Sequence, residues 1–191
     1  MTLYFAPLEG VTDAVFRRIH HECVPGVSKY FIPFISPTQN LAFTSRDWAA
    51  IAPENNIGVP AVPQLLAKDA SLFLWAAQAL CDMGYPEVNL NLGCPSGTVT
   101  AKGKGSGLLA DVPALERLLD GIFEKPPIPV SIKTRIGYAR VEEWDRLLDV
   151  FARYPIHELI IHPRTRAEFY RGTPHADAFA KAYGTLGMPL C

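Results

Sequence analysis

Short apolar segments that alternate with helix-patterned stretches constrain this chain more than any other feature. Six segments read as strands: Leu3–Phe5, Lys29–Phe34, Ala61–Leu65, Glu87–Asn91, Val130–Thr134 and Glu158–His162. Their starts lie roughly 25 to 45 residues apart, which leaves room for a helix and two loops in each interval. Thr12 is expected to cap a first helix that turns Val15, Phe16 and Ile19 inward. Asp69 precedes a helix carrying Leu72, Phe73, Trp75, Ala76, Ala79 and Leu80, with Gly84 as its stop. Pro113 suits the first turn of a helix with Leu115, Leu118, Leu119 and Ile122 on one face. Val141, Trp144, Leu147, Leu148 and Phe151 form a further helical stripe.

Repeated βα units predict a parallel sheet with helices outside, an α/β fold. A doubly wound sheet and a (β/α)8 barrel both satisfy that pattern, and two features favour the barrel. No GxGxxG follows the first strand. Polar residues also close nearly every strand: Glu9, Gln64, Asn91 with Cys94, Lys133 with Arg135, and His162 with Arg164. A barrel gathers all its strand ends around one mouth. A closed barrel runs to about 250 residues, and this chain has 191. The expectation is therefore an incomplete (β/α)8 TIM barrel of about six βα units. Residues 1–191 would form its N-terminal part, with Met188-Pro189-Leu190-Cys191 starting a seventh strand.

The formal net charge is −1, so any basic surface must be local. The four cysteines, Cys23, Cys81, Cys94 and Cys191, show no CxxC spacing. That argues against a disulfide framework or a zinc site and predicts a reducing, cytoplasmic setting with no metal. No signal peptide and no bilayer-length apolar run are read, so no membrane association is expected. Prolines are frequent, 17 in all, and Pro7, Pro33, Pro63, Pro95 and Pro163 are expected at strand ends.

Among the cysteines, Cys23 and Cys81 read as small buried hydrophobes. Cys94 differs, because Asn91, Gly93 and Pro95 place it in a turn at the end of a strand. An ordinary thiol has a pKa of about 8.5 and is mostly protonated at pH 7. It can act as a general acid without tuning or, given a base, as a nucleophile. Strand alternation puts Lys133 and Arg135 on one face, as solvated charges or as a cationic floor. His162 is either a satisfied core residue or a functional one. Gln64 and Asn91 can pair with a heterocycle edge or cap buried backbone. Lys102, Lys104, Arg164, Arg166 and Arg171 add cations on loops that share the mouth in a barrel. A cationic mouth on a neutral protein suits a phosphate-bearing cofactor, a nucleic acid, or both.

These segments resemble the tRNA-dihydrouridine synthases, FMN-dependent (β/α)8-barrel enzymes. The resemblance rests on Ala6-Pro7-Leu8-Glu9-Gly10-Val11-Thr12-Asp13, Pro63-Gln64-Leu65, Asn89-Leu90-Asn91-Leu92-Gly93-Cys94-Pro95, Lys102 through Leu109, Ile132-Lys133-Thr134-Arg135 and His162-Pro163-Arg164-Thr165-Arg166, in the family's order. It implies reduction of the 5,6 double bond of a tRNA uridine to dihydrouridine, with FMN as cofactor and NADPH or NADH as electron donor. Cys94 would be the proton donor. Pro7, Leu8 and Glu9, through their backbone, and Gln64, Lys133 and His162 would bind FMN. Asn91, Lys102, Arg135, Arg164 and Arg166 would lie toward the substrate. Family members run on past this length, so the last barrel strands and a helical tRNA-binding domain are expected to be absent here. The complete protein is expected to be a monomer. Two competing readings are an FMN barrel acting on a free pyrimidine, of the dihydroorotate dehydrogenase kind, and a catalytically inactive fragment.

Overall fold

The computed structural model describes residues 2–191. In chain order its elements are β1 (Leu3–Phe5), α1 (Ala14–Cys23), β2 (Val27–Ile35), α2 (Ser45–Ile51), β3 (Ala61–Leu65), α3 (Ala70–Asp82), β4 (Val88–Leu92), α4 (Gly97–Thr100), α5 (Val112–Glu124), β5 (Val130–Arg135), α6 (Glu143–Phe151), β6 (Leu159–His162) and α7 (Ala176–Thr185). Short 3-10 turns at Pro53–Asn56 and Gly105–Ala110 complete the connections.

The strands form one six-stranded sheet, every neighbouring pair parallel, in the order β1-β2-β3-β4-β5-β6. That order decides between the two architectures. A doubly wound sheet reverses direction at a switch point, whereas a barrel adds each strand beside the last. The fold is thus α/β, six parallel strands of an incomplete TIM barrel. The expected seventh strand appears as a single parallel bridge, Leu190 to Leu159, on the outer side of β6.

The core lies between the sheet and its outer helices. Every residue of β3 and β4 is buried. Helix α5 buries Val112, Leu115, Leu118, Leu119 and Ile122, and α6 buries Trp144, Leu147, Leu148, Val150 and Phe151. Gly121 lets α5 approach α3, since a Cβ there would stand 2.6 Å from the Ala70 Cβ. Asp69 and Asp111 cap α3 and α5 by accepting from the N–H groups of Leu72 and Ala114.

Four expectations are corrected. Asp13 caps α1 by accepting from the Phe16 N–H, while the buried Thr12 hydroxyl bonds back to Leu8. Val15 and Ile19 of α1 are exposed, at 61% and 48%. The side chain that α1 buries is Arg17, which donates to Thr12 O, Ala50 O and Asn56 Oδ1, each at 2.7 Å. Burial pushes the Arg17 pKa down to about 10. Cys23 is exposed at the end of α1 rather than buried. Pro33 and Pro63 sit inside β2 and β3, not at their ends. The β2–β3 register shifts between Ile32 and Ile35, and β3 pairs with β4 only from Gln64 onward. That irregularity is where a residue without an N–H is tolerated.

Candidate functional site

Each strand of a parallel sheet points its C-terminal end the same way, so the loops after β1, β2, β3, β4, β5 and β6 converge. Between them lies a pocket of about 160 Å³ lined by Pro7, Leu8, Glu9, Pro33, Phe34, Gln64, Asn91, Gly93, Cys94, Pro95, Lys133, Arg135, His162 and Tyr170. The pocket thus brings together Pro7, Leu8, Glu9, Gln64, Asn91, Cys94, Lys133, Arg135 and His162. A larger cavity of about 680 Å³ adjoins it, sharing Glu9, Pro33 and Phe34 and running under α2 to Arg46 and Asn55. Cys94, the partly buried Lys133 and His162 all line the smaller pocket.

The Cys94 loop is held from both sides. Asn91 Oδ1 accepts from the backbone N–H groups of Gly93 and Cys94, at 3.1 and 2.9 Å. On the other side, Ser106 donates to the Cys94 carbonyl through its hydroxyl at 2.7 Å and its N–H at 3.2 Å. Gly105, at φ 56°, allows this approach, because a Cβ there would stand 3.0 Å from the Cys94 carbonyl oxygen.

Lys133 has no hydrogen-bond or ion-pair partner among the described residues. Desolvation, and then the charge of Arg135, push its pKa down. An ammonium in that state gains from any anion or carbonyl brought into the pocket. Gln64 is fully buried; its amide donates to Asn89 Oδ1 and accepts from Asn91 Nδ2, both at 2.7 Å. One N–H and one oxygen lone pair remain for a ligand.

Arg164 sets the state of His162. Its Nη1 lies 3.0 Å from His162 Nε2. A guanidinium can only donate, so Nε2 must accept and the ring proton resides on Nδ1. Desolvation, then Arg135, Lys133 and Arg164, lower the His162 pKa to about 4. The ring is neutral at pH 7, with an N–H donor on Nδ1.

The other cations are largely committed within the protein. Arg135 is 1% exposed; its Nε donates to Gly93 O, and its Nη1 to Thr165 O and Phe169 O. It staples the β4 and β6 loops at the pocket floor. Phe169 is one of the non-glycine residues with positive φ, at 57°, and Arg135 grips its carbonyl. Arg164 also donates to Arg171 O and Gly172 O. The Arg166 guanidinium packs over the rings of Tyr138 and Phe169, at 5.2 and 5.5 Å. Lys104 donates to Ser36 Oγ, and Lys102 is exposed. Lys102, Arg164 and Arg166 do not line the pocket.

Sequence reasoning did not mark Pro33, Phe34, Ser106 or Tyr170 as site residues. Tyr170 is 68% exposed, its ring 5.7 Å from that of His162 and 5.3 Å from the Arg135 guanidinium. An aromatic among loop arginines was the available signal.

Comparison with known proteins gives a consistent result. The dihydrouridine synthase (Dus) family model matches residues 4–181. A probable tRNA-dihydrouridine synthase 1 of Synechocystis sp. is 32% identical over 97% of this chain and 52% of its own length. The tRNA-dihydrouridine synthase B of Pseudomonas syringae pv. tomato is 29% identical over 98% of this chain and 55% of its own. A tRNA-dihydrouridine(16) synthase of Aquipseudomonas alcaligenes is 26% identical, covering 100% of this chain and 62% of its own. The chain spans between about half and three-fifths of the length of these relatives.

Proposed function

The chain belongs to the dihydrouridine synthase family, and on that premise we propose that its strand-end pocket serves the flavin-dependent reduction of uridine in tRNA to dihydrouridine. The observation that carries this reading is the meeting of Cys94 with Lys133, neutral His162 and the free amide edge of Gln64 in one pocket.

The donor set suits FMN. A flavin presents carbonyl oxygens and ring nitrogens along one edge. Lys133 has no partner among the described residues, His162 offers Nδ1–H, and Gln64 keeps one donor and one acceptor free. Pro7, Leu8 and Glu9, in the loop after β1, line the same pocket. When bound and reduced by NADPH or NADH, the flavin supplies hydride to one carbon of the uracil 5,6 double bond.

The residues of the chain supply the rest. Cys94 holds the proton for the other carbon, and Asn91 and Ser106 keep its loop in place. After transfer the thiolate regains a proton from solvent. Asn91 and Arg135 lie beside the thiol toward the substrate base, and a base in an RNA stack must leave it to reach this depth. Lys102, Arg164 and Arg166 mark the outer face toward the tRNA backbone. A cytoplasmic setting and a monomeric complete protein accompany this reading.

A second reading is favoured by one observation. Arg135, Arg164 and Arg166 spend donors or ring contacts inside the protein, which leaves fewer free cations at the mouth for a polyanion. An FMN barrel acting on a free pyrimidine meets that condition. The test is to load the purified chain with FMN, add NADPH, and offer a tRNA transcript, free uracil and orotate in parallel. Dihydrouridine in the transcript is the expected product. Turnover on the free bases alone overturns the tRNA reading. A chain that leaves FMN fluorescence unchanged on titration overturns the flavin site.

A further inference from the structure

A chain of buried hydrogen bonds runs through the sheet interior from the opposite end of the strands to the Cys94 loop. Ser131 Oγ donates to Glu87 Oε1 at 2.5 Å. It accepts from Asn89 Nδ2 at 2.8 Å. Asn89 Oδ1 accepts from Gln64 Nε2, and Gln64 Oε1 accepts from Asn91 Nδ2, each at 2.7 Å. Asn91 Oδ1 then accepts from the N–H groups of Gly93 and Cys94. Glu87, Ser131, Asn89, Gln64 and Asn91 are all buried, at 7% exposure or less.

Every bond in this series points the same way, and both ends are pinned. A backbone N–H can only donate, and an ionised carboxylate can only accept. Glu87 is held in place by Lys29 at 2.7 Å, which also pairs with Glu158 at 2.8 Å, and Glu158 accepts from Tyr4. His157 Nε2 stands 3.9 Å from Glu87 Oε2, the oxygen that Lys29 holds. No amide between the ends can turn over without setting donor against donor or acceptor against acceptor. Successive bonds in a low-dielectric interior also polarise one another.

We propose that Ser131 and Asn89, anchored by Glu87, are positioning residues. They fix the amide of Gln64 and, through Asn91, the backbone of the Cys94 loop. The inference concerns the protein's own amides and stands whatever ligand the pocket takes. Its consequence is that a hydroxyl on β5, in contact with neither ligand nor thiol, controls how tightly the thiol loop is held.

Side-chain and backbone amide exchange by NMR on the full chain tests this. In the unmodified protein, the side-chain NH2 groups of Gln64, Asn89 and Asn91 should exchange far more slowly than that of the exposed Asn55. Equal rates overturn the proposal before any variant is made. Ser131→Ala should speed exchange at the Gly93 and Cys94 N–H groups roughly three- to tenfold, the worth of about one net hydrogen bond. The Leu90 amide within β4 should not change. Ser131→Thr, which keeps the hydroxyl, should restore the slow rate. Glu158→Gln, which leaves Glu87 its Lys29 partner and lies outside the series, should leave Gly93 and Cys94 as they were. Unchanged rates in Ser131→Ala, or equal acceleration in Glu158→Gln, overturn the proposal. Should Ser131→Ala fail to fold, the side-chain exchange of the unmodified protein decides alone.

Discussion

The two flanks of the sheet reach the same mouth by different means. On the β4–β6 flank, side chains do the work: Asn91, Cys94, Lys133, Arg135 and His162 all project from strand ends whose outer faces are sealed by α5 and α6. On the β1–α1 flank the lining comes from Pro7, Leu8 and Glu9, and the apolar residues Leu3, Leu8, Val11, Val15 and Ile19 stay at least 46% exposed. The helical pattern of α1 is as clear as that of α5, yet α5 buries its stripe and α1 does not. Periodicity shows that a helix has an apolar face. Burial of that face depends on neighbours on both sides, and α1 packs mainly on one side, through Arg17, α2 and the Pro53–Asn56 turn.

The largest effect that follows from this contrast lies in the sealed flank. Leu119 of α5 is fully buried. Leu119→Ala should cost about 2–5 kcal/mol, transfer plus cavity, read as the shift in a urea unfolding midpoint. A loss below about 1 kcal/mol would show that α5 is no better anchored than α1.

The next effect belongs to His162. Its folded pKa of about 4 lies below the ordinary 6.5, because of burial and then Arg135, Lys133 and Arg164. Above pH 6.5 neither the folded nor the unfolded ring is charged, so the histidine contributes nothing to pH dependence. As pH falls from 6.5 toward 4, the unfolded chain takes up a proton that the folded one refuses, and stability drops. The ring is only partly buried, so screening reduces the loss to roughly 1–2 kcal/mol. The difference between the unmodified protein and His162→Gln, measured from pH 7.5 to 4, isolates this contribution. A difference that does not vary with pH would place His162 in an ordinary solvated setting.

The strand ends were legible because two signals coincide there: apolar alternation stops, and a polar residue follows. Hence Gln64, Asn91, Cys94, Lys133 and His162 could be named from the sequence, and all line one pocket. What was not legible depends on partners distant in the chain. Arg17 looks like a surface charge until Ala50 and Asn56 supply acceptors. Arg135 and Arg164 look like free cations until the backbone of the β6 loop absorbs them. Ser131 looks like an ordinary strand residue until Glu87 and Asn89 bracket it. Pro33 and Pro63 were expected at strand ends, since the register shift that tolerates them lies between strands, not within one.

The capping residues offer a finer test. Asp111 caps α5 and Asp13 caps α1 by the same geometry, each accepting from an N–H three residues on. Asp111→Ala should cost about 1 kcal/mol of global stability, the usual worth of a cap. Asp13→Ala should instead appear as faster amide exchange in the first turn of α1, with a smaller change in the global midpoint. A helix that opens locally loses its cap before the rest of the fold responds. Equal midpoint shifts for the two variants would mean that α1 unfolds only with the whole sheet.

The smallest effect is also the sharpest on the contrast between flanks. Val15 is 61% exposed on the face where the sequence predicts burial. With most of its side chain already in water, Val15→Ser should change stability by no more than about 0.5 kcal/mol. The same apolar-to-polar change at Leu119 adds an unpaired hydroxyl to a cavity. A loss of about 2 kcal/mol at Val15 would be the cost of burying a valine. It would show that something covers this face in solution, so that the open flank is sealed after all.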